Sequence, residues 1–257
     1  MFMDNDDLLF PHACERALEL IRQNQCDILQ FNIHMLDGDV LSGPDEIFIP
    51  HNGRIEKSPL TDPWLAEEKF IHTLWGKIFR GDICRQAAGE MVDHISPCAL
   101  DDYYTFFVIS FLSSSYCGIP DESLYIYRKD VGMGAGVTAT LRSAKLLPLF
   151  EDFLDRKNIS KERQKLILSL LENRLYKSSL GILLRTKKLE PSMFQEAARD
   201  WGAQILYDFI VHLGILSVET DNWIDILPRL ADILKQQQSD LKDLRTSGAA
   251  FSHAPPR

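Results

Sequence analysis

The chain has 257 residues, of which 45% are hydrophobic and 25% are charged, proportions typical of a globular protein with one large domain or two small ones. Its five cysteines form no CxxC pair, which argues against a disulfide framework or a structural zinc site and favours a reducing compartment. In residues 1–141, 22 acidic residues outnumber 10 basic ones. This balance favours a divalent-metal site over a nucleic-acid surface.

The first part of the chain predicts an acidic turn, a helix and a strand. The opening, MFMDNDDLLF, places three aspartates within four positions. The next stretch has a helical apolar face, and an extended segment follows at residues 27–31. The residues of that helical face are Ala13, Ala17, Leu20 and Ile21. Residues 36–63 are rich in Gly, Pro, Asp and Ser, which predicts loops around one short strand at 47–49.

The middle of the chain predicts two helices and a hairpin. Residues 64–79 have apolar positions at helical spacing, and a strongly apolar helix begins at the acidic pair Asp101-Asp102. We expect a hairpin next, with strands at 115–119 and 124–130 joined by a turn at 120–123. The glycine-rich residues 132–136 predict a flexible boundary.

From about residue 140 the pattern is helical only, with apolar residues three and four positions apart. The predicted helices are 147–156, 161–185, 191–216 and 222–244. The domain prediction is therefore an α/β domain over 1–140, a helical domain over 141–245, and a disordered tail over 246–257.

Two features bear on location. The opening lacks the basic and apolar regions of a signal peptide, and the longest apolar run, residues 104–117, is too short and too rich in serine to span a bilayer. We therefore expect a cytoplasmic protein. Residues 142–200 carry 13 basic and 8 acidic residues. A solvated helix face is the favoured interpretation, and peripheral attachment to anionic lipid at the inner face of the cell membrane stays open.

The acidic clusters indicate a candidate chemistry. Carboxylate oxygens are the ligands that Mg²⁺ and Mn²⁺ prefer, and an Asp-x-Asp turn brings two of them to one ion. An acid elsewhere in the chain can then act as a general base on a hydroxyl. Either cluster alone is more often a solvated turn or a helix cap.

Four segments, taken in order, resemble a family 2 glycosyltransferase of the GT-A fold. They are FMDNDDLLFPHACERALELIRQNQCDILQF, LWGKIFR, LDDYYTFFVISFL and IPDESLYIYRKDVGMGAG, within residues 1–136. The resemblance implies a partial GT-A-like, Rossmann-like mixed sheet followed by an all-helical C-terminal region. It also implies inverting transfer of a sugar from a nucleoside-diphosphate sugar, a UDP-sugar being favoured, in polysaccharide or lipopolysaccharide biosynthesis.

The resemblance assigns roles to individual residues. Asp4 and Asp6 match the metal-holding D-x-D, and Asp7 matches the acid that follows it. Asp102 matches the catalytic base, and Asp101 stands where the family usually has glutamate.

Three further residues receive weaker assignments from the resemblance. Trp75 and Lys77 match positions near the acceptor, a saccharide or a lipid-linked sugar. Arg128, in the segment similar to the family's Tyr-x-Tyr-Arg, is a candidate for neutralising the diphosphate; a surface arginine or one that locks the hairpin is an equal alternative.

In that family, βαβ units that bind the nucleobase and ribose precede the D-x-D-D turn. Here only Met1, Phe2 and Met3 precede Asp4. A late start site and a gene remnant are jointly favoured as explanations over a separate chain that carries the first half.

Two other functions compete with this interpretation. A haloacid dehalogenase-type phosphohydrolase also opens on Asp-x-Asp, but Leu8 stands where that family has Thr or Val. The helical C-terminal region is alternatively a non-catalytic interaction or membrane-docking module. Charge reversal at Arg185, Lys187 and Lys188 would test the membrane version.

Overall fold

A computed structural model describes residues 1–45, 48–67, 71–91, 101–129, 143–186 and 190–216. The fold is mixed α/β with a helical C-terminal region, as the sequence predicts. The six strands are β1 (Leu8–Leu9), β2 (Ile28–Asp37), β3 (Val40–Pro44), β4 (Gly53–Glu56), β5 (Lys77–Phe79) and β6 (Ser115–Arg128).

The helices fall into two groups along the chain. Those interleaved with the strands are α1 (Ala13–Asn24), α2 (Thr61–Glu67), α3 (Gly81–Met91) and α4 (Asp101–Leu112). Those that follow the sheet are a short 3₁₀ turn (Ser143–Leu146), then α5 (Leu147–Arg156), α6 (Lys161–Arg185), α7 (Pro191–Trp201) and α8 (Ala203–Leu216).

The sheet is built on one long parallel pair, β2 and β6. Each of these strands is flanked on its outer side by two short antiparallel strands. β5 and then β3 pair with successive halves of β2, and β4 and then β1 pair with successive halves of β6. Both central strands therefore lie inside the sheet, which explains why the first half of each is buried.

Helix α1 confirms the predicted apolar face. Ala13, Ala17 and Leu20 are buried in one core cluster with residues of β2 and β6. The helix ends at Gln25, whose φ of 47° places it in the left-handed conformation that commonly terminates helices. β2 then begins at Ile28, inside the predicted strand, and continues beyond it to Asp37.

The predicted hairpin at 115–130 is wrong. β6 is one strand that stays parallel to β2 from Tyr116 to Arg128. Pairing is interrupted between Ile119 and Ser123, so the intervening residues bulge out of the ladder. The Pro-Asp-Glu sequence that signals a turn is accommodated by this bulge, because β2 offers a continuous partner on one side.

Two further predictions are corrected. The helix predicted over 64–79 ends at Glu67 within the described residues, and β5 occupies 77–79 because it pairs with β2. The single strand predicted at 47–49 is replaced by β3 and β4 on either side. Of that segment, position 47 lies outside the described residues and positions 48 and 49 are not in a strand.

The apolar helix predicted after Asp101 is confirmed as α4. Phe106 and Phe107 are fully buried, and both rings contact Trp64 of α2. Phe107 also packs on Phe150 and Phe153 of α5. α4 thus buries apolar side chains of its middle turns against two other helices.

The described chain forms two compact units. The first contains residues 1–129 and 145–173, and the second contains 143–144 and 174–216. The second has its own apolar core, which includes Leu183, Phe194 and Phe209. The helix predicted over 191–216 is two helices, separated at Gly202, whose φ of 72° is left-handed.

Several predictions fall outside the described residues: the glycine-rich boundary at 132–136, the helix at 222–244 and the disordered tail at 246–257. The domain boundary at residue 140 stays a prediction. Within the part of the chain that the structure describes, no helix has the length and apolar character needed to cross a membrane.

Candidate functional site

The three N-terminal aspartates lie together. One carboxylate oxygen from each of Asp4, Asp6 and Asp7 can be chosen so that all three atoms are within 4.8 Å of one another. Asp4 is exposed, Asp6 is half-buried and Asp7 is buried. They form a turn immediately before β1, in which the Asp7 N–H donates to the Asp4 carbonyl oxygen at 3.3 Å.

Asp7 is held by β6. Its Oδ2 accepts a hydrogen bond of 2.6 Å from the Tyr125 hydroxyl, and its Oδ1 accepts one of 2.8 Å from the Arg128 backbone N–H. The same Tyr125 hydroxyl accepts a hydrogen bond of 3.2 Å from the Asp4 N–H. Burial raises the pKa of Asp7, although both hydrogen bonds act in the opposite direction. Asp7 therefore fastens the acidic turn to the sheet.

Trp75 supports Tyr125 from the opposite side. The two rings are stacked, with centroids 6.0 Å apart and an angle of 18° between their planes. Trp75 also contacts Tyr127 and Phe48, and it is 8% exposed. It lies in the segment leading into β5, one residue before Gly76, whose φ is 69°.

Lys77, the first residue of β5, is fully buried. Its ammonium donates to the Thr73 carbonyl oxygen at 2.6 Å and to the Thr73 hydroxyl at 3.0 Å. It also lies 5.3 Å from the centre of the Phe106 ring. Burial lowers the pKa of Lys77 to about 7, and the Asp102 carboxylate opposes that shift.

Asp102 is the second residue of α4 and is half-buried. Its position in the first turn places the carboxylate at the positive end of the helix dipole. Asp101 begins the helix. Only its backbone lies within the described residues, so its catalytic assignment stays a prediction.

A chain of direct contacts leads from the acidic turn to Lys77, whose charge in turn interacts with that of Asp102, about 100 positions from the turn in the sequence. We call this the contact path; its members are Asp7, Tyr125, Trp75, Thr73 and Lys77. The step from Trp75 to Thr73 is a hydrogen bond of 3.3 Å from the threonine hydroxyl to the tryptophan carbonyl oxygen. At its far end, the charge of Lys77 interacts with that of Asp102.

Arg128 ends β6 beside Asp7. Its guanidinium side chain is exposed, and its charge lowers the pKa of Asp7, against the larger effect of burial. The side chain therefore stands at the edge of the acidic turn, where it can meet an anion from solution.

The acidic turn fits a hard divalent cation. All of its candidate ligands are carboxylate oxygens, the donor set of Mg²⁺ and Mn²⁺. Asp7 has both oxygens engaged by Tyr125 and Arg128, so Asp4 and Asp6 are the candidates for direct ligation. Two protein carboxylates are a usual complement for Mg²⁺ when substrate phosphates supply other ligands.

Tyr125 and Thr73 are parts of the site that sequence reasoning missed. The alternation of Tyr125 and Tyr127 indicated a strand, but it did not indicate a hydroxyl aimed at Asp7. Nothing in the sequence around Thr73 marks it as a partner of Lys77. It lies four positions before Lys77 and contacts it locally, but its residue type gives no sign that it accepts from a buried ammonium.

No protein-family model matches the sequence, and no curated protein matches it. Solved structures that resemble it are those of TarS from S. aureus, a glycosyltransferase. Residues 1–349 of TarS in complex with UDP-GlcNAc match with a TM-score of 0.51 at 19% identity, over 82% of this chain and 56% of that one.

Two other crystal structures of TarS residues 1–349 also match. One has a TM-score of 0.49 at 16% identity, and the other, in complex with UDP, has a TM-score of 0.46 at 14% identity; each match covers 95% of this chain and 66% of that one. The likeness shows a glycosyltransferase-like fold. The chain spans 56% of the length of the first of these structures.

Proposed function

We propose that this chain carries the metal and general-base part of a family 2, GT-A-type glycosyltransferase, which transfers a sugar from a UDP-sugar to a hydroxyl acceptor with inversion. The observation that supports this most directly is the contact path, which leads from a metal-competent acidic turn to Lys77, whose charge interacts with the acid Asp102 at a helix start. The likeness of the fold to TarS, solved with UDP-GlcNAc, supports the same function.

Asp4 and Asp6 would hold Mn²⁺ or Mg²⁺ against the diphosphate of the donor. The metal, when bound, offsets the negative charge that develops on the departing diphosphate. Asp7 contributes by fixing the turn, because its two oxygens are engaged by β6. The exposed guanidinium of Arg128 adds a positive charge beside the same diphosphate.

Asp102 acts as the general base in this proposal. The acceptor oxygen attacks the anomeric carbon on the face opposite the diphosphate, and its proton passes to the Asp102 carboxylate. The bond from the anomeric carbon to the diphosphate oxygen breaks with its electron pair on the diphosphate. Asp102 is half-buried, so the residue is not closed off from solvent.

Trp75 and Lys77 are buried in this structure. Their assignment to the acceptor side stays a prediction, and the observed contacts favour support of the two acidic clusters instead. The acceptor is proposed to be a saccharide or a lipid-linked sugar, with the protein cytoplasmic or attached to the inner face of the membrane. The likeness to TarS does not favour the alternative of a non-catalytic helical module.

Calorimetry with UDP tests the metal site. We expect UDP to bind the full chain in the presence of Mn²⁺, and to bind at least about tenfold more weakly without it or with Asp6→Asn. Asp39→Asn, which removes an exposed acid in the turn between β2 and β3, is the matched control and should leave binding unchanged. An affinity for UDP that changes neither on removal of the metal nor in Asp6→Asn would contradict the proposal.

Release of UDP from UDP-GlcNAc tests the base. Asp102→Asn should retain metal-dependent UDP binding and lower turnover by about 100-fold or more, because it keeps the shape of the side chain and removes the proton acceptor. Equal turnover in the wild-type protein and this variant would assign the base to another residue.

A further inference from the structure

The buried ammonium of Lys77 is the most unusual charge among the described residues of the sheet. Lysine is almost never fully buried without a partner, because the ammonium loses its hydration. Lys77 is 0% exposed, and it projects from a strand that pairs directly with the buried β2. An ammonium at such a position requires compensation from its surroundings.

Contacts with two residues and the charge of a third supply that compensation. The carbonyl and hydroxyl oxygens of Thr73 both accept hydrogen bonds from the ammonium. The ring of Phe106 presents its face to the charge at 5.3 Å, within the range of a cation–π interaction. The carboxylate of Asp102, one turn before Phe106 on α4, attracts the charge across the same interface.

The charge of Lys77 in turn stabilises the ionised carboxylate of Asp102. A carboxylate that is half-buried at the edge of an apolar helix is penalised by its partial loss of water. A positive charge nearby offsets that penalty and makes the ionised form the stable one. The dipole of α4 acts in the same direction, but its contribution is smaller than that of a full charge in a desolvated site.

We propose that Lys77 is a positioning residue whose buried charge, held against α4 at Phe106, keeps Asp102 ionised at the start of that helix, ready to accept a proton. This proposal rests on the function proposed above for Asp102. Lys77 itself touches neither donor nor acceptor in this arrangement, because its ammonium is enclosed by Thr73 and Phe106. The residue therefore serves the reaction through the charge that it holds in the core.

Two other polar side chains near Lys77 must be considered as influences on Asp102. On β2, the residue paired with Lys77 is Gln30, which is neutral. On the segment before β5, His72 stacks on Tyr103 of α4 at 3.6 Å, next to Asp102. Of these neighbours, His72 is the one with an imidazole side chain, a group that can carry a positive charge of its own. Any test of the coupling between Lys77 and Asp102 must therefore separate it from His72.

The test is an NMR titration of the full chain without donor or acceptor. The carboxyl carbon of Asp102 reports its pKa, and the side-chain nitrogen of Lys77 reports the ammonium. Lys77→Met removes the charge and keeps a similar shape, so we expect the pKa of Asp102 to rise by about 1 unit or more. Lys77→Arg should keep it within a few tenths of the wild-type value. An unchanged pKa in Lys77→Met would overturn the proposal.

A second measurement needs no change at Lys77. In a His72→Phe variant, which keeps a ring against Tyr103, the carboxyl signal of Asp102 should shift at the same pH at which the Lys77 nitrogen titrates. A Lys77 nitrogen that titrates while the Asp102 signal stays constant would contradict the coupling. This readout remains available if Lys77→Met fails to fold.

The pH profile of sugar transfer separates this proposal from the proposed function. If both hold, Lys77→Met moves the acidic limb of kcat/KM upward by the same shift that NMR finds for Asp102. If NMR finds the shift but the acidic limb stays in place, Lys77 does control Asp102, and Asp102 is not the base. If neither moves, Lys77 has a structural role only.

Discussion

The hydroxyl of Tyr125 donates to the buried carboxylate of Asp7 at 2.6 Å, while its ring stacks on Trp75. One side chain thereby joins the acidic turn to the segment that carries Lys77. Removing the hydroxyl and keeping the ring separates the two contributions.

Tyr125→Phe should weaken metal-dependent UDP binding and lower the free energy of unfolding by about 2 kcal/mol, because Asp7 loses a charge-assisted hydrogen bond in a buried position. Calorimetry and urea unfolding measure the two effects. Tyr127→Phe is the matched control, since Tyr127 also packs on Trp75 and its hydroxyl is not the donor to Asp7. Equal losses in both variants would show that the Tyr125 hydroxyl has no special role.

Position 118 requires glycine because the backbone at His51 passes too close to it to leave room for a side chain. A Cβ atom there would lie 1.8 Å from the carbonyl oxygen of His51, on the residues that lead into β4. Gly118→Ala should therefore displace β4 from β6 and lower the free energy of unfolding by at least about 2 kcal/mol. Thermal and urea unfolding provide the measurement.

Gly89 provides the opposite case in the same unit. It lies inside α3, and a Cβ there would meet nothing within 4 Å. Gly89→Ala should stabilise the protein by about 0.5–1 kcal/mol, because alanine is the better helix former. If both glycine variants changed stability alike, the contact with His51 would not be the cause.

The lowered pKa of Asp27 should make the free energy of unfolding depend on pH. Burial opposes its ionisation, but hydrogen bonds from Ser114 and Ser115 and the charge of Arg80 outweigh it and lower the pKa of Asp27. The stabilisation is therefore present above the unfolded-state pKa of about 3.9 and is lost as the pH falls through the lower folded-state value.

Asp27→Asn should accordingly lower the free energy of unfolding by about 2 kcal/mol at pH 6, and by progressively less below pH 4. Urea unfolding at a series of pH values measures the difference from the wild-type protein. Asp39→Asn, at an exposed turn position, should change little throughout. A constant difference for Asp27→Asn across this range would show that ionisation is not the source of its effect.

We expect valine substitutions at two buried threonines to have opposite effects on stability. The Thr73 hydroxyl accepts a hydrogen bond from Lys77, whereas the Thr61 hydroxyl has no hydrogen-bond partner within the described structure. Thr73→Val should cost about 1–2 kcal/mol and lower the pKa of Lys77 further, because an acceptor of the charged form is lost. Thr61→Val should be neutral or stabilising. Urea unfolding and NMR of the Lys77 nitrogen distinguish the two.

Helices α1, α4, α5 and α6 and the first long strand could be predicted because their patterns are local, whereas α3 is not among the predicted helices. Ala13, Ala17 and Leu20 repeat at helical spacing, and the same three residues are buried. The strand beginning at Ile28 follows without ambiguity. Each of these patterns can be recognised from residues that lie within a few positions of one another in the sequence.

The errors arise where a distant partner decides the structure. Pro120 and the two acids after it are good turn residues, but β2 keeps β6 extended and the turn signal becomes a bulge. Lys77 continues a helical pattern in the sequence, but its pairing with Gln30 makes it a strand residue. A single sequence contains no direct record of such pairings.

The candidate site also contains residues that the sequence predicts and residues that it does not. The acidic turn and Asp102 could be predicted from residue type and from the family resemblance. Tyr125 could not, because its contact with Asp7 depends on which strands are neighbours in the sheet. Thr73 lies only four positions from Lys77, but its residue type does not mark it as the partner of a buried ammonium. The step of the contact path from Asp7 to Tyr125 is thus a product of strand order.

The parallel pairing of β2 with β6 also imposes an order on synthesis. Contacts at the start of this pair join residues 88 positions apart, so the ribosome must extend the chain far beyond β2 before its partner exists. During that interval Ile28, Leu29 and Phe31, which are buried in the finished protein, have as partners only the elements made before β6, such as α1 and later β5. The nascent chain must shield this apolar strand, and its folding rate is set by a long-range closure rather than by helix formation.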